Sequence, residues 1–167
     1  MVCDYKSIID TCERFGIENY TINEDMSIDI NGDFDISCSW LFEFPIEFNI
    51  INGDFDCSMN LLTSLKGGPK MVMGNFTCSD NQLQTLDYLP YVVKGSIDLE
   101  EQGINNILRF SSVPNTIGGV IYCSSNNFDD KSFDVLFDAY MDIDKIIIYN
   151  FNLIALRRNY LIKKIND

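Results

Sequence analysis

Hydrophobic and polar positions along this chain recur with a fixed period. Gly32, Gly53, Gly74 and Gly95 stand 21 residues apart, and Gly119 follows 24 later. Each opens a short alternation of polar and apolar residues: Asp33-Phe34-Asp35-Ile36, Asp54-Phe55-Asp56-Cys57, Asn75-Phe76-Thr77-Cys78, Ser96-Ile97-Asp98-Leu99 and Val120-Ile121-Tyr122-Cys123. A period of two predicts a strand with the apolar members inward. Downstream, Asn60, Leu62, Leu65 and Pro69 match Asn81, Leu83, Leu86 and Pro90, while the fourth unit keeps Ile104, Ile107 and Pro114 and puts Gln102 in the Asn place. An Asn just beyond the strand suits backbone groups that have lost a ladder partner, and Gly67-Gly68-Pro69 breaks the chain before the next unit. One such unit cannot bury its apolar face alone, whereas a stack buries a continuous core.

The pattern therefore predicts an α/β solenoid of about five units of 21–24 residues over 26–128, with a short parallel sheet. An up-and-down antiparallel sheet is the alternative, but a meander has no need of matching Asn, Leu and Pro positions inside its loops. At the N-terminal end (1–25), Tyr5, Ile8, Ile9, Cys12 and Phe15 fall three and four apart, with Asp4 as N-cap and Gly16 as stop, which predicts a capping helix. Met26, Ile28 and Ile30 predict a lead-in strand over 26–36, bent or turned at Asn31-Gly32. At the C-terminal end (129–167), Phe133, Leu136, Phe137 and Tyr140 predict a helix over 132–141, 145–149 a buried strand, and Leu153, Leu156, Tyr160 and Leu161 a final helix. These segments would cover an end of the stack that otherwise invites strand pairing. The whole chain, 1–167, reads as one domain.

Gly53-Asp54-Phe55-Asp56-Cys57-Ser58-Met59-Asn60-Leu61-Leu62-Thr63-Ser64-Leu65-Lys66-Gly67-Gly68-Pro69 resembles the short leucine-rich-repeat-like proteins encoded by tailed bacteriophages, and the similarity extends over roughly residues 26–128. The first unit departs from it, with Cys38-Ser39-Trp40-Leu41-Phe42 where Asn and Leu are expected. The resemblance implies a recognition scaffold: a phage accessory protein in the cytoplasm of an infected bacterium that binds and inhibits or redirects a host protein, a defence component among the candidates. It is nearly silent on chemistry.

Charge narrows the partner. The chain carries 12 Lys and Arg against 25 Asp and Glu, a net charge of -13. Contact with nucleic-acid phosphates or anionic lipid would be repulsive over most of the surface. Between Gly16 and Leu65 there is no Lys or Arg, yet ten carboxylates occur. Parallel strands in register would stack Asp33 on Asp54 and Asp35 on Asp56, roughly 5 Å apart. Like charges at that spacing oppose folding, and a basic protein surface would relieve them. The candidate partner-binding surface is thus the outward strand face in two rows: Asp33, Asp35, Asp54, Asp56, Asn75, Thr77, Asp98 and Tyr122. Tyr122 serves there as an aromatic anchor, unless the C-terminal segment covers it. Two other readings of the Asp rows stand beside this one, a solubilising face that blocks edge aggregation and a divalent-cation site. A related functional alternative is nucleic-acid mimicry, with the Asp rows occupying the basic groove of a nuclease or DNA-binding protein; a small-ligand sponge or virion component is a further class.

Catalysis finds no support. Histidine is absent, no short motif joins a Ser or Cys to a base, and Gly67-Gly68-Pro69-Lys70 and Gly118-Gly119 lack the context of a phosphate loop. Cys57, Cys78 and Cys123 share one inward row with Ile36 and Leu99, which marks them as packed thiols; one interrupted row cannot supply four metal ligands. No cofactor, metal or catalytic residue is assigned. No export signal or membrane-length apolar run is present, which predicts a cytoplasmic chain. Arg157, Arg158, Lys163 and Lys164 in the last helix suit its dipole, or contact the acidic end of the chain or of another copy; monomer and homodimer both remain open.

Overall fold

The computed structural model describes residues 4–103, 107–109, 114–124, 126–128, 134–135, 138, 146–147, 161 and 164–165. Helix α1 spans Tyr5–Arg14. The Asp4 carboxylate accepts the Ser7 N–H at 2.8 Å, satisfying one of the free amides of the first turn. Ile8 and Cys12 are buried, Phe15 packs against the core and Tyr5 is exposed. Gly16, at φ 62, lets the chain leave the helix in a left-handed conformation.

The chain then winds into coils, each contributing a strand on either side of its glycine. Strand β1 (Tyr20–Ile22) pairs antiparallel with β2 (Ile28–Ile30); after a turn at Asn31-Gly32 comes β3 (Phe34–Asp35). The following coils carry β4 (Phe48–Ile51) and β5 (Phe55–Asp56), β6 (Met71–Val72) and β7 (Phe76–Thr77), then β8 (Val92–Val93) and β9 (Ile97–Asp98). Strands β10 (Ile107–Leu108), β11 (Thr116–Ile117), β12 (Ile121–Tyr122), β13 (Asn127–Phe128) and β14 (Ile146–Ile147) follow. One sheet runs β1-β2-β4-β6-β8-β11, the other β14-β12-β9-β7-β5-β3; β10 and β13 form a small parallel pair. Apart from β1, every pairing is parallel among the described residues, so the molecule is a β-solenoid. The sequence pattern predicts one sheet. A second forms because residues before each glycine, such as Ile50, Ile51, Met71 and Val72, also stack in register.

Identical positions stack into columns inside the coils. Phe34, Phe55 and Phe76 lie 6.0 and 5.9 Å apart between successive ring centroids, and Ile97 and Ile121 extend the column. Ile36, Cys57, Cys78, Leu99 and Cys123 form the next column, all buried. Leu62, Leu65, Leu83 and Leu86 close the third side.

That third side has no sheet along these coils, and asparagines hold it. Asn60 Nδ2 donates to the carbonyls of Ile36, Cys57 and Ser58, while its Oδ1 accepts the N–H groups of Ser39 and Leu41. Asn81 repeats the arrangement toward Cys57, Cys78, Ser79 and Leu62, and Gln102 and Asn126 continue it. Each of these side chains accepts from the coil before it. The first coil has none before it, so Ser39 suffices where later coils need an amide.

Of the expected C-terminal cap, β14 falls within 145–149 and pairs with β12, covering that edge of the sheet. Asp134, Val135, Asp138, Leu161, Lys164 and Ile165 are helical, and Lys164 pairs with Asp138. Phe133, Leu136, Phe137, Tyr140, Leu153, Leu156, Arg157, Arg158, Tyr160 and Lys163 lie outside the described residues. Among the described residues, no helix is long and apolar enough to cross a membrane.

Candidate functional site

The two outward rows expected from the alternation exist, but the chain uses them differently. In the first row, Asp33 Oδ1 accepts the Asp54 N–H at 2.8 Å, Asp54 Oδ1 the Asn75 N–H at 2.7 Å, Asn75 Oδ1 the Ser96 N–H at 2.9 Å and Ser96 Oγ the Val120 N–H at 3.1 Å. Each side chain reaches forward one coil and caps a backbone donor. The glycine ahead of each donor amide makes the room: a Cβ at Gly53, Gly74, Gly95 or Gly119 would overlap the incoming Asp33, Asp54, Asn75 or Ser96 oxygen. Asp33, Asp54 and Asn75 are therefore structural members of a ladder as well as exposed groups. That constraint explains the strict glycine period, a link that spacing alone does not reveal although Gly and Asx repeat together.

The second row keeps its charge facing out. Asp35 stacks on Asp56, Asp56 on Thr77, Thr77 on Asp98 and Asp98 on Tyr122. Each of its three Asp side chains accepts a local amide two residues on: Ser37 at 2.8 Å, Ser58 at 2.8 Å and Glu100 at 3.0 Å. These Asx turns point each carboxylate at its own coil and leave the row without a cation among the described residues. The ion pairs described, Lys70–Asp25 at 3.4 Å and Lys164–Asp138, lie elsewhere. Half-burial and the charges of Glu100, Asp56 and Asp80 hold the Asp98 carboxyl above its ordinary range, the local Glu100 amide opposing them. Tyr122 follows, 37% exposed, with Ile147 of β14 in register beside it.

Just past this row the backbone turns through a left-handed residue in successive coils: Cys38, Met59, Asp80 and Glu101, with φ between 53 and 58. None is glycine, so each costs on the order of 1 kcal/mol. The column begins with sulfur, Cys38 Sγ lying 3.8 Å from Met59 Sδ, and ends with two adjacent carboxylates. The charge and hydrogen bonding of Asp80 raise the Glu101 pKa. Beside Cys38 and Met59 stand side chains that the alternation does not place on the candidate surface: Trp40, 79% exposed, and Phe42, 69% exposed. Their departure from the repeat is visible in the sequence: these positions face outward in the next coils as well, where Thr63, Gln82 and Gln84 are exposed, and the first coil fills them with aromatic side chains. The acidic row thus meets an apolar corner at the N-terminal end of the stack.

Elsewhere the chemistry is muted. Burial pushes the Cys57, Cys123 and Cys12 thiols up, away from the reactive thiolate, and Cys57 Sγ donates to the Thr77 carbonyl at 3.4 Å. Among the described residues, no group of three or more His, Cys, Asp or Glu is placed to hold a metal ion. The described residues border shallow clefts. One, of about 310 Å³, lies between Gly16–Asn19 and Ile30–Phe34; another, about 360 Å³, is bordered by Phe42, Glu43, Phe44, Glu47 and Lys66.

Comparison with protein-family models, with curated proteins and with solved structures returns no match to this chain.

Proposed function

We propose that this protein is a non-enzymatic, leucine-rich-repeat-like recognition module, of the kind tailed bacteriophages encode, that binds a basic surface of a host protein in the cytoplasm of the infected cell. The observation that carries the reading is the uncompensated second row, Asp35, Asp56 and Asp98, which leads to Tyr122. Backbone capping accounts for the first row. The second makes local turns that Asn or Ser would also make, and the fold accepts stacked like charges there without a described cation. A cationic partner would convert that repulsion into attraction and speed encounter. Trp40, Phe42 and Met59 add an exposed apolar corner of the sort that anchors protein interfaces. Binding is stoichiometric, and inhibition or redirection of the partner follows from covering its basic surface.

The test immobilises the intact protein beside an Asp35→Lys/Asp56→Lys variant and quantifies what each retains from bacterial lysate. A basic protein retained only by the unmodified chain supports the reading. Equal retention by both, or measured turnover of a substrate by the purified protein, overturns it.

A further inference from the structure

The first-row ladder has a direction, and its first rung is empty among the described residues. Every later coil receives an oxygen from the coil before it: the amides of Asp54, Asn75, Ser96 and Val120 are each capped this way. The Asp33 amide occupies the same position in the first coil and receives none. The space is there. A Cβ on Gly53, Gly74, Gly95 or Gly119 would overlap the capping oxygen, whereas a Cβ on Gly32 meets nothing within 4 Å. Gly32 sits at φ 133 on the wall of the 310 Å³ cleft, with Gly16, Glu18 and Asn19 opposite.

The sheet edge beside this notch is also open. Strand β1 caps the first sheet by antiparallel pairing, but in the second sheet β3 is terminal. The Asp54 and Asp56 carbonyls accept the Phe34 and Ile36 N–H groups at 2.8 Å each; their counterparts in the first coil, the carbonyls of Asp33 and Asp35, have no such strand before them. An extended segment laid along β3 would meet these carbonyls and could place a side-chain oxygen on the Asp33 amide, as every internal coil does to its successor.

From this we infer that the first coil is a docking site for one extended segment of a partner protein, carrying Asn at the ladder position between basic residues. Asn is preferred to Asp because Asp33, Asp35 and Glu18 border the site, and basic flanks because no Lys or Arg occurs from Gly16 to Leu65. A second copy of this chain is disfavoured by its net charge of -13 and by the same carboxylates. The inference shares with the proposed function only the premise that the protein binds protein; its surface is the edge, not the outward row.

The probe is a synthetic peptide copying residues 71–79 of this chain, whose Asn75 holds the ladder position, with Cys78→Ile and two lysines added at each end. It is titrated into the isotope-labelled full chain and followed by amide chemical shifts. Saturable changes are expected at Gly32, Asp33, Phe34 and Asp35. The Asn75→Ala peptide should bind about tenfold more weakly, the equivalent of one hydrogen bond. Glu18→Trp, at an exposed position on the cleft wall, should weaken binding about tenfold with the melting temperature unchanged, whereas Asp98→Asn should leave it intact. The inference is overturned by the absence of saturable changes up to millimolar peptide or by equal affinity of the Asn75→Ala peptide. It is likewise overturned by changes spread along Asp35, Asp56 and Asp98 alone, which is simple charge attraction. Failure here leaves the lysate comparison of Asp35→Lys/Asp56→Lys untouched, so the two proposals fail separately.

Discussion

Replacing Gly74 by Ala tests whether the glycine period exists to admit the ladder oxygens. An added Cβ overlaps Asp54 Oδ1 and stands 2.7 Å from both the Asp54 nitrogen and the Gly53 carbonyl carbon, well inside contact distance. Neither neighbour yields easily, because both are backbone of a coil held by parallel pairing on each side. Displacing the carboxylate forfeits its 2.7 Å bond from the Asn75 amide, about 1–2 kcal/mol for a charged but exposed acceptor, and the crowding adds about 1–3 kcal/mol. The expected loss is about 2–5 kcal/mol in urea denaturation. Gly16→Ala is the control: its Cβ meets nothing within 4 Å, so it carries only the left-handed penalty of about 1 kcal/mol. Asp54→Ala on its own should cost about 1–2 kcal/mol through the lost cap, and the double variant should lose less than the sum of the two single-variant losses, since removing the oxygen relieves part of the overlap. Equal cost at Gly74 and Gly16, or strict additivity of Gly74→Ala with Asp54→Ala, would refute the steric account.

Three further outcomes follow from the same geometry. Asn81→Ala should cost about 2–4 kcal/mol by urea denaturation, since it strands the buried Leu62 amide and removes one of the two donors to each of the carbonyls of Cys57, Cys78 and Ser79, which keep Asn60, Gln102 and the Met59 amide; a loss below about 1 kcal/mol would show that water replaces the amide. Cys57→Val should cost about 1 kcal/mol or less and Cys57→Ser about 1–3 kcal/mol, and added reductant should leave the melting temperature of the unmodified protein unchanged. Raised carboxyls at Asp98 and Glu101 disfavour the charged folded form, so their opposition to folding lifts as pH falls through their folded pKa values toward the ordinary 3.8 and 4.5; the lowered Asp25 carboxyl gives stabilisation that is lost below 3.8. The melting temperature should rise on acidifying from neutral and fall again below pH 3.8, with Asp98→Asn/Glu101→Gln flattening the rise.

Much of the solenoid was legible because its columns are chemical identities at a fixed spacing. Phe34, Phe55 and Phe76 announce a stack, and Asn60 and Asn81 announce the hydrogen-bonded third side. The second sheet was harder to read: Ile50-Ile51 and Met71-Val72 are short apolar pairs whose alternation is too brief to mark a strand. Direction was the other missing element. Asn and Gln side chains reach back one coil while the Asp33, Asp54, Asn75 and Ser96 side chains reach forward, so Ser39 at one end and Val120 at the other depart from the pattern for physical reasons that spacing does not reveal. For the candidate surface, the alternation located both rows, but only hydrogen-bond partners separate Asp33 and Asp54, which cap backbone of the next coil, from Asp35 and Asp56, which cap local turns.

The central claim is that the second row recognises a basic protein, and affinity for a partner recovered from lysate tests it most directly when three chains are titrated at low and high salt. With Asp35, Asp56 and Asp98 all changed to Asn, which can keep the local turns, affinity should fall at least about tenfold and lose most of its salt dependence, while the melting temperature holds or rises. With Asp54→Ala, the melting temperature should fall and affinity should stay near that of the unmodified chain. Undiminished affinity in the triple variant, together with a loss in Asp54→Ala beyond what its lowered stability explains, would contradict the account.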